Sequence, residues 1–261
     1  MRHHDGSAGD ANYGEIGRRY VTYRQPEPVI EAMILDALGK AKTVLNVGAG
    51  AGSYEPIDRA VTAVEPSASM RAQRSSHLTP AIDAVAERLP FTDKCFDAVM
   101  ATFTVHQWLD LEAGLREMRR VSRGPAVILT CDPAEVPHFW LNDYAPEMIA
   151  TEARRYPAID RLRAGLGEAV EVLPVAIPLR CRDGFHEAYY GRPEMILDEG
   201  ARLSNSAWSF IAPEVAQNSV EVLRRDLENG RWDERYGALR SQPTYKGSLY
   251  LVVAQTSANQ I

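Results

Sequence analysis

Apolar residues along the first half of the chain follow two alternating rhythms. PEPVIEAMILDALG spaces Val29, Ile30, Met33, Ile34, Ala37 and Leu38 along one helical stripe, opened by proline and closed by Gly39. TVLNVGAG (43–50) is a continuous apolar run that predicts a buried strand entering a glycine turn. AVTAVEP (60–66), FDAVMATFTV (96–105) and PAVILTCDP (125–133) predict three further strands. Between them, SASMRAQRSS predicts a short helix, and DLEAGLREMRRVS predicts a longer one with Leu111, Leu115, Met118 and Val121 on a shared face. Continuous apolar strands alternating with amphipathic helices predict an α/β fold with a parallel sheet covered on both faces. Such sheets bind ligands beyond the carboxyl ends of their strands, where this glycine turn falls.

The second half reads differently. Helical patterns cover 139–155 and 158–167, AVEVLPVAIP (169–178) predicts a strand, and GSLYLVVAQ (247–255) predicts a closing one. Between those late strands lies a helical insertion of about 65 residues, too long for a plain loop, which predicts a cap. The polar, glycine-containing start is expected to be a disordered tail over 1–12, with His3 and His4 incidental to it. The core is expected to comprise 40–181 and 246–261, and the helical substrate cap 182–245.

Composition narrows the class. The chain has 261 residues, 45% hydrophobic and 25% charged, with a net charge of −6, which argues against a nucleic-acid partner. Arg116, Arg119, Arg120 and Arg123 form the densest basic stretch, but their spacing makes them the solvated face of one helix. Cys95, Cys131 and Cys181 match no metal-ligand spacing, so no metal is expected. No signal peptide is read at the start and no apolar run approaches a membrane span, so the expected setting is the cytoplasm.

The glycines of NVGAGAGSYE carry the candidate chemistry. A nucleotide-triphosphate loop needs a lysine after its last glycine, and Ser53-Tyr54 supplies none. A dinucleotide turn needs glycine or alanine where Ser53 stands, although Glu65 at the end of the next strand could hold a ribose. S-adenosylmethionine has no phosphates and needs a tight turn that lets backbone approach its methionyl part and ribose. Gly48, Gly50 and Gly52 suit that task, and Glu65 can accept both ribose hydroxyls.

These motifs resemble the class I S-adenosylmethionine-dependent methyltransferases, in particular the enzymes of ubiquinone and menaquinone biosynthesis. VLNVGAGAG resembles their first motif and VTAVEPSASM their second; VAERLPFTDKCFDAVMATFTVHQW resembles the adenine loop and next strand, and LREMRRVSRGPAVILT the closing helix and strand. The resemblance implies a Rossmann-like, mostly parallel seven-stranded sheet, with S-adenosylmethionine as cofactor and S-adenosylhomocysteine as product. It implies that Gly48, Ala49 and Gly50 line the methionyl and ribose region, that Glu65 binds the ribose, and that Pro66 and Met70 flank the adenine. Ala86 and Glu87 would lie at the adenine edge and Thr102 beneath the methyl group. NYGEIGRRYVTYRQPEP resembles the family's lid, assigning lid helices to 13–39 with Tyr13, Tyr20 and Arg24 closing over the cofactor carboxylate.

Two positions depart from the pattern. Asn46 stands where an acidic residue is usual, still able to accept a hydrogen bond from the cofactor. Val85 replaces a common aspartate, and Asp83 shares its face only if the segment is extended. His106 is either a structural histidine or the base near the transferred methyl, since imidazole titrates near neutral pH. Tyr20 is the second catalytic candidate. His106, Trp108, His138, His186, Tyr189 and Tyr190 are the candidates for contacting a small-molecule substrate. The expected activity is methyl transfer to O, N or C of a small molecule. A nicotinamide-dependent oxidoreductase and a non-catalytic cofactor-binding protein are the alternatives.

Overall fold

The structure, a computed structural model, describes residues 20–167 and 169–255. The expected tail and Tyr13 lie outside the described residues, as does the side chain of Tyr20, whose backbone opens the four-residue helix α1 (Tyr20–Tyr23). Helix α2 (Pro28–Leu38) follows, with proline in its first turn and the Glu27 side chain accepting from Val29 N. Strands β1 (Thr43–Val47) and β2 (Ala60–Val64) lead through the short helix α3 (Ala68–Arg71) to β3 (Ala98–Thr102). Helix α4 (Leu111–Val121), capped by Asp110, connects to β4 (Ala126–Cys131).

Helices α5 (Pro146–Arg155) and α6 (Ile159–Leu166) precede β5 (Val170–Pro174) and β6 (Ile177–Pro178). The chain then runs through 3-10 turns and helices α7 (Glu199–Leu203), α8 (Pro213–Glu228) and α9 (Arg231–Tyr236) to β7 (Thr244–Tyr245) and β8 (Leu249–Ala254). The main sheet has the order β2-β1-β3-β4-β8-β5, with β8 antiparallel to both neighbours.

Among the described residues the sheet therefore has six strands, where seven were expected. The apolar run 169–178 is not one strand: β5 forms the sheet edge against β8, whereas β6 pairs with β7 in a separate two-stranded ribbon. The helix expected over 139–155 is also divided. A 3-10 turn at Trp140–Asp143 comes first, and α5 starts afresh at Pro146, which cannot donate to a preceding turn.

Two apolar clusters sandwich the sheet. One packs α2 and much of the segment from 136 to 232 against Val44, Ala98, Met100, Val127 and Leu129. The other packs α4 and α6 against Leu45, Val47, Val99, Ala101 and Ile128. Alternation along each strand produces both faces. Beyond the carboxyl ends of β1, β2 and β3, where the strand order reverses, the turns are left free to bind a ligand.

Candidate active site

The turn after β1 is held by the strand beside it. Gly48 N and Ala49 N both donate to Val64 O at 2.9 Å, which brings the turn against the end of β2. Gly48 sits at φ +68°, and a Cβ built there would lie 2.1 Å from Thr104 Oγ1. Both the left-handed backbone and this close approach demand glycine.

Glu65, the first residue after β2, is 7% exposed and fixed at both oxygens. Oε2 accepts from Gly50 N and Oε1 from Ser67 N, each at 2.8 Å. Burial pushes its carboxyl pKa up, opposed by those two amide bonds and by the Arg71 and Arg74 charges. Each oxygen keeps a lone pair for a neighbouring hydroxyl, the chemistry needed to grip a ribose diol.

These elements border a concave cavity open to solvent, the form usual for small-molecule and cofactor sites. Of the expected cofactor residues, Arg24, Gly48, Ala49, Gly50, Glu65, Pro66, Met70, Ala86, Glu87 and Thr102 line it, as does Trp108. Val85 is also on its wall, whereas Asp83 pairs with Arg71 at 3.5 Å and does not line it. Glu87 is the carboxylate on that side, steadied by Leu109 N at 2.7 Å and Asp110 N at 3.2 Å.

Asn46 does not line the cavity, contrary to expectation. The pleat turns it to the same face as Val44, away from Leu45 and Val47. There, fully buried, it donates to Glu55 Oε1 at 3.0 Å, and Glu55 pairs with Arg74 at 2.8 Å.

Sequence reading missed Asp183. Its carboxylate pairs with Arg24 at 2.5 Å, accepts from Tyr54 Oη at 2.9 Å, and lines the cavity. Both partners are buried, and the Arg24 guanidinium lies 4.9 Å from the Phe103 ring centre. Phe103 and Tyr54 are two non-glycine residues at positive φ, 50° and 63°, and both line the cavity with Ser53, Thr104 and Gln107. Only a fold can join Arg24 to a partner 159 positions away.

The expected substrate residues separate. His106 is absent from the first cavity's lining and borders a second, more open one that shares Trp108 with it. Its ring packs on Tyr156 at 4.6 Å between centres. Enclosure pushes its pKa well below the usual histidine value, helped by the Arg155 and Arg24 charges, so the imidazole is neutral at pH 7.

His138 is surface-exposed and paired with Glu135 at 3.1 Å. Tyr189 and Tyr190 are buried in the apolar cluster, and His186 is buried 3.6 Å from Glu152, all three away from both cavity linings. Tyr190 stacks on Tyr245 and donates to Gln242 O at 2.7 Å. Burial raises the phenol pKa of Tyr189 to about 12. Among the described residues, no group of three or more His, Cys, Asp or Glu is placed to hold a metal ion.

Sequence-family comparison matches residues 45–129 to a methyltransferase domain. The demethylmenaquinone methyltransferase of Mycolicibacterium gilvum is 40% identical over 70 residues, covering 27% of this chain and 31% of that one. Its counterpart in Mycolicibacterium paratuberculosis is 33% identical over 99 residues, covering 36% and 43%. The chain thus matches less than half the length of either relative.

Among solved structures, a protein of Anabaena variabilis assigned as a methyltransferase of an antibiotic biosynthesis pathway superposes with TM-score 0.82. It is 29% identical, with 89% of this chain and 99% of that one covered. A SAM-dependent methyltransferase of Thermotoga maritima, 14% identical, superposes with TM-score 0.53 over 94% and 95% of the chains and shares the fold. Fold and site define a domain of the class I S-adenosylmethionine-dependent methyltransferase type. Residues 45–129 match a methyltransferase domain, and stretches of 70 to 99 residues of the chain are similar to the two demethylmenaquinone methyltransferases. Among the described residues, no helix is long and apolar enough to cross a membrane.

Proposed function

We propose that the chain transfers a methyl group from S-adenosylmethionine to a small-molecule acceptor. The observation that carries this reading is Glu65, fixed at both oxygens by backbone amides beside the Gly48 turn. That arrangement suits a neutral ribose diol with no phosphate beside it. When bound, S-adenosylmethionine supplies a methyl group already activated on a sulfonium sulfur. The acceptor's lone pair forms the new bond to the methyl carbon as the carbon–sulfur bond breaks, its electron pair staying on sulfur. Any acceptor proton leaves to a base or to water.

The protein's contribution is alignment. The glycine turn and Glu65 would hold the ribose, Met70, Val85, Ala86 and Glu87 would border the adenine, and Arg24, held by Asp183, would meet the cofactor carboxylate. Thr102, Phe103 and Thr104 form the floor toward the methyl. His106 is neutral, hence in the proton-accepting form, but its depressed pKa makes it a weak base. Tyr13 and Tyr20 belong to the lid in this reading, and 182–245 to a cap that excludes water. In this reading the chain works in the cytoplasm on a small molecule.

The test is formation of S-adenosylhomocysteine from S-adenosylmethionine, followed by mass spectrometry with a demethylmenaquinol analogue, a catechol and small carboxylic acids as acceptors. Acceptor-dependent product is expected. Tight cofactor binding without product from any acceptor class would reduce the chain to a binding protein.

A further inference from the structure

Asn46 opens a loop that ends at Glu55 and contains the whole glycine turn. It sits in β1 between Ala63 of β2 and Met100 of β3, and its amide donates to Glu55 Oε1 at 3.0 Å, closing that loop across its base. Both residues are buried.

Arg74, three residues beyond α3, meets the same carboxylate. Its guanidinium donates to Glu55 Oε1 at 2.9 Å and to Oε2 at 2.8 Å, a bidentate pair with both side chains buried. The remaining reach is to backbone. Nε and Nη2 donate to Thr79 O at 3.2 and 2.8 Å, and Nη1 lies 3.5 Å from Gly50 O. Gly50 is therefore held on both sides, its carbonyl facing Arg74 and its N–H donating to Glu65 Oε2 at 2.8 Å. Gly52 packs closely too: a Cβ built there would lie 2.2 Å from Leu78 Cδ1 and 3.3 Å from Arg74 Nη1.

The charges of this buried group balance only as they stand. One guanidinium faces one carboxylate, and the amide at 46 is a neutral donor to that carboxylate. An aspartate at 46 would have no hydrogen to give Glu55 and would add a second buried negative charge. A glutamine at 55 would remove the carboxylate with which Arg74 pairs.

We infer that Asn46, Glu55 and Arg74 are positioning residues for the cofactor, holding Gly50 so that its N–H fixes Glu65 for the ribose. None of the three lines the cavity. The inference rests on the methyl-transfer reading and adds to it the side chains that act from behind the turn. Their loss loosens the site without removing any group on the cavity wall.

The test is an exchange of charge. Calorimetric titration with S-adenosylhomocysteine is run on the full chain carrying Asn46→Asp, Glu55→Gln, or both, with urea denaturation of each unliganded chain alongside. Each folded single variant should bind at least about tenfold more weakly than the parent. The double variant again sets one buried carboxylate against one guanidinium, with the amide now at 55, and should bind more tightly than either single. A merely structural role would lower the urea midpoint and leave the affinity of the folded singles unchanged, a result that overturns the inference. So does a double variant that binds no better than the singles, or that does not fold. A single variant that fails to fold counts as the weaker binder, and the double must still fold and bind. A parent chain that fails to bind S-adenosylhomocysteine overturns the methyl-transfer reading, and the positioning role with it.

Discussion

The two cavities that meet at Trp108 are made of different materials. The first is mainly backbone: a glycine turn hung on Val64 O, and a carboxylate clamped by two amides. The second is mainly side chain, with arginines from α5 and α6 facing the start of α4. A backbone-built site is set by where strands end and where glycine is required. A side-chain-built site is set by which helix ends the fold brings together. The first kind is fixed by the fold, and the second is free to vary.

The contrast would break most severely at Asp183, the distant side chain on which the first cavity also depends. Asp183→Ala removes the buried ion pair to Arg24 and the acceptor of the Tyr54 hydroxyl. Breaking a buried ion pair by removing one partner costs about 3–5 kcal/mol. Chemical denaturation should therefore show a large drop in stability, with the cofactor strengthening the variant less than the parent.

Gly48→Ala attacks the backbone part. The added Cβ meets Thr104 at 2.1 Å and the left-handed φ is unsuited to alanine. The strain alone is worth about 1–3 kcal/mol, and S-adenosylhomocysteine affinity should fall at least about tenfold. Unchanged S-adenosylhomocysteine affinity in a folded Gly48→Ala protein would contradict the role given to the turn.

The smallest effect concerns His106, on the wall of the second cavity. Its folded pKa lies below the ordinary 6.5, so below pH 6.5 the unfolded chain takes up a proton that the folded chain refuses. Its contribution is therefore complete above that pH and is lost as pH falls toward the depressed folded value. Melting curves from about pH 7 to about pH 5 should fall less steeply for His106→Asn than for the parent. Parallel slopes would contradict the depressed pKa.

Legibility followed the same division. The strands 43–47, 60–64, 98–102 and 126–131 were readable because buried parallel strands are continuous apolar runs, and the turn because glycine is irreplaceable there. Glu65 was readable from its place one residue beyond β2. Asn46 misled because a motif position says nothing about which face of the pleat a side chain takes.

His138, His186, Tyr189 and Tyr190 were chosen by residue type in a stretch without a clear period. The fold uses the last three as core and leaves His138 in solvent. Asp183 and the Arg154 cavity carry no local signal, because each depends on groups brought together across long separations.

The central claim is that the cavity beside Gly48 and Glu65 binds S-adenosylmethionine. Calorimetric titration of the full chain with S-adenosylhomocysteine, with NADH in a parallel cell, tests it most directly. The account predicts one S-adenosylhomocysteine bound per chain and no heat from NADH. Binding of NADH with no response to S-adenosylhomocysteine would contradict it and make the glycines of NVGAGAGSYE a dinucleotide turn.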